Sequence, residues 1–181
     1  YRSPVAHAKI NAIDIGRAKA APGVHAVFTA EHLIEGGVKT IRCGWPYNNK
    51  DGSPMFEPDH FCLAYRKVVH FGEPVACVVA DSRDLAVDAA ELIELDYTAL
   101  PPVTDADEAL KPGAPSVWDQ APGNLVCDWE IGDKDATDAV FERAAHVVSL
   151  DTIQNRLVPS SIEARAANAC YDTGNDEYTL Y

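Results

Sequence analysis

The sequence is poor in the features that announce chemistry. It has only five cysteines, Cys43, Cys62, Cys77, Cys127 and Cys170, an odd number at wide spacing. No Cys-x-x-Cys occurs, so neither a zinc knuckle nor a dithiol redox motif is available. Free thiols in a reducing compartment fit this pattern better than a disulfide framework. Apolar runs are short, the longest being Val75 to Ala80 and the neighbourhood of Ala89 and Ala90. None approaches the roughly 20 residues of a membrane-spanning helix. No basic head with an apolar core marks a signal peptide. Positive charge is scarce too: 15 Lys and Arg face 28 Asp and Glu, for a net charge of −13. Such a surface repels phosphate backbones and anionic lipid headgroups, so neither nucleic acid nor membrane is an expected partner.

Nucleophile and phosphate motifs are missing as well. There is no Gly-x-Ser-x-Gly elbow. Gly36-Gly37 lacks the spacing and the following Lys-Ser/Thr of a phosphate loop. The six histidines, His7, His25, His32, His60, His70 and His146, have no partner at metal-ligand spacing on one helix face. They read as structural or surface residues. Asp105, Asp107 and Glu108 cluster at a helix start, where carboxylates complement the helix dipole. Asp81, Asp84 and Asp88 read as a solvated helix face.

What is present is the alternation of a packed domain. Hydrophobic residues make up 47% and charged residues 24%, a globular balance. Ala6 to Ile13 alternates as a strand, with Ala6, Ala8, Ile10 and Ala12 on one face. Asp14 is placed to cap a short helix through Ala20, which Pro22-Gly23 stops. Val24 to Thr29 reads as a strand, and Ala30 to Ile34 as one or two helical turns. Val75 to Ala80 is continuously apolar, which predicts a strand covered on both faces with Cys77 buried in it. Asp81 or Ser82 caps a helix whose Leu85, Ala89, Leu92 and Ile93 share a face. Glu94 to Tyr97 reads as a strand, and Thr104 with Asp107 as a capping arrangement over Ala106 to Leu110. Beyond a Pro- and Gly-rich stretch from 112 to 134, a helix is expected near Asp135 to Ala144. Strands are expected at His146 to Ile153 and Ala166 to Tyr171, then a turn at 172–175 into a last strand. The order favours a mixed-sheet α/β or α+β domain.

Three segments carry candidate sites. Residues 35–60 form a long stretch studded with Gly, Pro and Asn, and a loop of that length is commonly functional. Its aromatics, Trp45, Tyr47 and Phe56, either anchor it to the core or line a partner surface; anchoring is the favoured reading. Gly72-Glu73-Pro74 reads as a tight strand entry, with Gly72 in an unusual backbone conformation and Glu73 either capping or facing a neighbouring domain. Arg156 lies in Asn155-Arg156-Leu157-Val158-Pro159. Glu163 and Arg165 alternate on an expected strand, point the same way, and read as a structural ion pair.

Taken in order, Arg2-Ser3-Pro4-Val5-Ala6-His7-Ala8-Lys9-Ile10, Pro22-Gly23-Val24-His25-Ala26-Val27, Gly72-Glu73-Pro74-Val75-Ala76, Ala89-Ala90-Glu91-Leu92-Ile93, Asp96-Tyr97 and Leu100-Pro101-Pro102-Val103 resemble the opening of the xanthine dehydrogenase and aldehyde oxidase family. Asn155-Arg156, Pro159 and Ile162-Glu163-Ala164-Arg165 resemble the entry to its molybdopterin-binding part, although many members read Met-Glu-Pro-Arg at the last motif. The pattern is most similar to large subunits of the bacterial carbon monoxide dehydrogenase type.

The resemblance implies an α+β fold: an α/β hammerhead domain at 1–115 with mixed sheets packed with helices, a linker at 116–134, and at 135–181 the truncated start of a second α/β region, the molybdopterin-binding domain. It implies part of a cytoplasmic oxidoreductase that hydroxylates aldehydes or N-heterocycles, or oxidises carbon monoxide, with oxygen from water. The cofactor would be molybdenum–molybdopterin, in bacteria usually the cytosine dinucleotide form. Two [2Fe-2S] clusters and FAD would sit on small and medium partner subunits. The family's catalytic glutamate and glycine-rich cofactor segment lie beyond these residues, so no catalytic, cofactor-binding or metal-binding residue carries over. The fragment alone is expected to be inactive, to hold no molybdenum, and to expose apolar surface that leaves room for self-association. The loop Cys43, Gly44, Trp45, Pro46 and Tyr47 would approach the substrate funnel, while Gly72, Glu73, Pro74, Arg156, Glu163 and Arg165 would serve structure or interfaces. The beginning at Tyr1 and the ending within a strand pattern fit a piece of a longer polypeptide. The alternative is a hammerhead-type scaffold or subunit-interaction module that does no chemistry.

Overall fold

The computed structural model describes residues 1–153, 159–163 and 165–181. The chain forms two compact units, Tyr1–Gly132 and Asp133–Tyr181.

The first unit begins with β1 (Ala8–Asp14), α1 (Gly16–Lys19), β2 (Val24–Thr29) and α2 (Ala30–Glu35). After a long excursion come β3 (Lys67–Val68), β4 (Ala76–Ala80), α3 (Arg83–Ala90), β5 (Glu94–Ala99) and α4 (Ala106–Ala109). β1 is the centre of a three-stranded sheet ordered β3-β1-β5, and β2 pairs with β4 in a second sheet. Every one of these pairings is antiparallel.

The local signals act as their chemistry requires. Asp14 Oδ1 accepts from the Gly16 N–H at 2.8 Å, covering a donor that the short helix leaves free. Gly23, at φ +71°, turns the chain from the end of that helix into β2, in a left-handed conformation that glycine adopts without a Cβ clash. Ser82 caps α3 by accepting from the Leu85 N–H at 3.3 Å. At α4 the cap is Asp105, not Thr104: its Oδ1 accepts from the N–H groups of both Asp107 and Glu108 at 2.9 Å. A carboxylate can accept both bonds at once and also complements the helix dipole.

Two apolar clusters form the core. Ala8, Ala64, Val68 and Val75 make one; Ala18, Val27, Ala76 and Ile93 make the other. Tyr1 and Ile13 pack against both.

The burial expected for two strands of this unit needs correction. The buried face of β1 does not run Ala6, Ala8, Ile10, Ala12. Ile10 pairs with Tyr97 but Ala12 with Asp96, so Asn11 is an extra residue. One inserted residue reverses the in/out order of those that follow. Ile13 therefore reaches the core and Ala12 is exposed. Likewise β4 is covered on one face only. α3 packs against the β2–β4 pair, so Ala76 is buried while Cys77 and Val79 are exposed. A continuous apolar run had implied two covered faces; among the described residues no element covers the outer side of this two-stranded sheet, which leaves Cys77 open.

Of the linker expected at 116–134, the residues up to Gly132 belong to the first unit. Lys67 Nζ donates to the Val117 carbonyl at 2.8 Å and to Asp119 Oδ1 at 3.1 Å. Asn124 Oδ1 accepts from the Val117 N–H at 2.8 Å, and Nδ2 donates to the carbonyls of Ala109 and Pro115 at 3.0 and 2.9 Å. Ala121 is buried.

The second unit contains α5 (Lys134–Arg143) and a hairpin of β6 (Ala169–Asp172) with β7 (Glu177–Leu180). Asp133 caps α5, accepting from the Ala136 N–H at 2.9 Å. In the hairpin Tyr171 stacks on Tyr178 with centroids 4.5 Å apart. The expected strand at 146–153 is not one: no described strand hydrogen-bonds to it, and its apolar Val148, Leu150 and Ile153 are exposed. A strand exists only through its neighbour's hydrogen bonds. No helix among the described residues is long and apolar enough to cross a membrane.

Candidate functional site

The stretch between α2 and β3 is not shapeless. It climbs away from the core and returns as a ragged hairpin. Ile41 N–H donates to the His60 carbonyl at 2.7 Å. Cys43 N–H donates to Glu57 Oε1 at 2.7 Å, with Arg42 paired to the same carboxylate at 3.7 Å. Met55 N–H donates to the Tyr47 carbonyl at 3.1 Å, and Asn49 N–H to the Ser53 carbonyl at 2.7 Å. The turn closes around Asp51, whose Oδ1 accepts from Ser53 Oγ at 2.6 Å and Ser53 N–H at 2.9 Å. Those hydrogen bonds hold the Asp51 carboxyl below the usual carboxylate range.

A second segment, residues 125–129, runs beside this hairpin. Phe56 N–H donates to the Val126 carbonyl at 2.9 Å and Lys50 N–H to the Asp128 carbonyl at 2.8 Å. Lys50 Nζ meets Asp128 Oδ2 at 2.7 Å, and that hydrogen-bonded ion pair raises the lysine above its usual pKa. The rings of Tyr47 and Trp129 lie 5.3 Å apart and tilted by 55°. An open groove of about 550 Å³ between the two segments is lined by Asn49, Met55, Phe56, Leu125 and Val126 among others.

The five residues singled out in this loop therefore divide. Tyr47 is anchored, by Trp129 and by its hydrogen bond with Met55. Trp45 is not: it is 74% exposed. Cys43, Gly44 and Pro46 are exposed with it. Of the three aromatics expected to anchor this loop to the core, Phe56 is half-buried, Tyr47 is exposed and meets only the exposed ring of Trp129, and Trp45 faces outward.

Gly72-Glu73-Pro74 is a joint. Gly72 has φ +74°, its N–H donates to the Ser3 carbonyl at 3.1 Å, and its carbonyl accepts from Arg2 Nη1 at 2.9 Å. Pro74 bridges Arg2, and its carbonyl accepts from the Ala64 N–H at 2.7 Å. Glu73 is only 9% exposed; its Oε2 accepts from the Val69 N–H at 2.7 Å, with His70 Nδ1 at 3.8 Å. Of its two readings, the carboxylate satisfies the capping one. It also borders an open cleft of about 470 Å³, together with Phe61, Tyr65, Lys67 and Trp118.

Arg156 lies outside the described residues. Glu163 and Arg165 are exposed, lie in no strand, and form no ion pair among the described residues. Their expected pairing presumed a strand whose alternation would bring both side chains to one face, and no such strand occurs among the described residues.

Sequence reasoning missed Asn49, Asp128 and Trp129, which join segments far apart in the chain. The run Asn48-Asn49 signalled a turn, but nothing local signals a partner 79 residues away. His7 is buried, and its Nδ1–H donates to the Pro101 carbonyl at 2.7 Å, a structural role as expected. Among the described residues, no group of three or more His, Cys, Asp or Glu side chains stands where it could share a metal ion.

The family profile described as "Aldehyde oxidase and xanthine dehydrogenase, a/b hammerhead domain" matches residues 1–101. The carbon monoxide dehydrogenase large chain of Hydrogenophaga pseudoflava is 35% identical over 193 residues, covering 99% of this chain and 22% of the relative. A crystal structure of Cu,Mo-CO dehydrogenase superposes with a TM-score of 0.78 at 37% identity, covering 99% of this chain and 23% of that one. Quinoline 2-oxidoreductase from Pseudomonas putida 86 gives a TM-score of 0.79 at 32% identity, covering 99% and 22%. The fold is thus the α/β hammerhead type found in large subunits of molybdenum hydroxylases. The chain belongs to the aldehyde oxidase and xanthine dehydrogenase family. It spans about a fifth of the length of these relatives.

Proposed function

We propose that this chain is the leading segment of a molybdenum hydroxylase large subunit, in which the first unit helps to wall the substrate funnel. Its hammerhead domain is residues 1–115, joined through 116–134 to the start of the molybdopterin-binding domain at 135–181. The subunit would carry molybdenum–molybdopterin, in its cytosine dinucleotide form, on residues beyond those described. Small and medium subunits with [2Fe-2S] clusters and FAD would complete a cytoplasmic enzyme. When bound, the molybdenum group would supply the oxidation itself; the residues described would shape access to it and do no chemistry alone.

The observation that carries this reading is the pairing of an exposed ring with a held backbone. Trp45 projects 74% exposed from a loop whose following residue but one, Tyr47, is pinned by Trp129. Burying an outward ring of that size against a ligand or a pocket wall is the usual way apolar binding sites are lined. Replacing Trp45 with alanine in the assembled enzyme is expected to raise KM several-fold and to shift substrate preference. Unchanged KM and unchanged preference would reject the funnel reading.

A second reading, a subunit-contact module without a role in catalysis, draws on the exposed Val148, Leu150 and Ile153 of the second unit. Apolar side chains exposed in one stretch commonly mark a protein interface.

A further inference from the structure

We propose that Asn49 is a positioning residue that locks the hairpin carrying Cys43–Tyr47 onto the 126–128 segment. This rests on the funnel reading for its functional consequence, but the lock itself is a matter of geometry. The Asn49 amide uses both of its ends. Nδ2 donates to Ser53 Oγ at 3.0 Å and to the Pro54 carbonyl at 3.1 Å, which shapes the turn. Oδ1 accepts from the Asp128 N–H at 2.8 Å, which ties that turn to a segment 79 residues away. The Asn49 backbone adds two bonds inside the turn, N–H to the Ser53 carbonyl at 2.7 Å and carbonyl from the Gly52 N–H at 2.8 Å. One side chain thus couples the shape of the turn to its attachment.

The neighbouring ion pair is the rival explanation. Lys50 and Asp128 are 57% and 48% exposed, and exposed pairs contribute little to order. A side-chain oxygen that accepts from a backbone N–H fixes direction as well as distance, and it holds the backbone itself rather than the ends of two long side chains. The Lys50 N–H to Asp128 carbonyl and Phe56 N–H to Val126 carbonyl bonds also join the two segments, at 2.8 and 2.9 Å, and the Asn49 Oδ1 bond is the side-chain tie that couples them to the shape of the turn. Because Tyr47 hydrogen-bonds to Met55 within the same hairpin, a loosened turn would free Tyr47 from Trp129 and let the Trp45 ring move.

The test uses the assembled enzyme with three variants, Asn49→Ala, Asn49→Asp and Asp128→Asn, read by amide hydrogen exchange and by KM against kcat. Asn49→Ala is expected to speed exchange at residues 47–55 and 126–128 at least tenfold and to raise KM at least threefold, with kcat within twofold. Asn49→Asp keeps the acceptor for the Asp128 N–H but loses both Nδ2 donors, so it is expected to speed exchange at 47–55 while leaving the Asp128 amide as protected as in the parent. Asp128→Asn removes only the ion pair and is expected to leave exchange and KM unchanged. Unchanged exchange in Asn49→Ala overturns the lock, as does an Asn49→Asp variant whose Asp128 amide exchanges as fast as in Asn49→Ala. Faster exchange without a KM change overturns the positioning role. In that event Trp45→Ala identifies the cause: a KM effect there preserves the funnel reading, and none removes it.

Discussion

Replacing Gly23 with alanine is expected to destabilise the first unit by about 2–3 kcal/mol, and the two causes can be separated. Gly23 sits at φ +71°, where any L-residue with a Cβ incurs about 1–2 kcal/mol. A Cβ built there would lie 2.6 Å from Leu85 Cδ1 and 3.1 Å from Asp81 Oδ2. The leucine must swing away, and a side chain pushed off its rotamer costs about 0.5–1.5 kcal/mol. Gly72 is the control. Its φ is +74°, nearly the same, but a Cβ there would meet nothing within 4 Å. Gly72→Ala should therefore cost only the backbone term, about 1–2 kcal/mol. All three tryptophans, Trp45, Trp118 and Trp129, lie in the first unit, so their fluorescence in a urea titration reports its unfolding. Adding Leu85→Ala to Gly23→Ala should leave the double variant about 1 kcal/mol more stable than the sum of the singles, because the clash is gone. Equal losses at Gly23 and Gly72, or additive behaviour with Leu85→Ala, would refute the packing argument at the end of α1.

Glu73→Ala should cost about 1 kcal/mol or more, since it leaves the half-buried Val69 N–H without its acceptor, whereas Glu73→Gln keeps an acceptor there and should cost less. The same fluorescence titration decides this, and equal losses for the two variants would mean that Glu73 holds nothing through its side-chain oxygen. Cys77 should react with a water-soluble thiol reagent in the native chain at a rate close to that of exposed Cys43 and faster than that of half-buried Cys127. Mass spectrometry of briefly labelled protein checks it; a Cys77 that labels only in denaturant would restore the two-faced burial that its apolar surroundings suggest.

The legible parts of this fold are those whose causes are local. The stop at Pro22-Gly23, the cap at Ser82 and the Leu85–Ala89 face of α3 each depend on residues within a turn or two. So does the turn from Asp172 into β7, where Asp172 Oδ1 accepts from the Gly174 N–H at 2.8 Å. Even the cap of α4 was displaced by a single position, because threonine and aspartate compete for adjacent roles and the carboxylate accepts two bonds where a hydroxyl commonly accepts one. The ordered series of motifs through residue 101 also identified the family, which no single motif could do.

The sequence by itself determined where the backbone must turn, which helices can be capped, and which family pattern the chain follows. Tertiary structure alone decided that Asn11 is an inserted residue, that Cys77 lies on an open face, that 146–153 is not a strand, and that Asn49 reaches Asp128. The reason is common to all four. A bulge, a covered face, a strand and a long-range hydrogen bond are each defined by a partner elsewhere in the chain. Residue type limits what a side chain can offer; only the folded arrangement supplies what it meets.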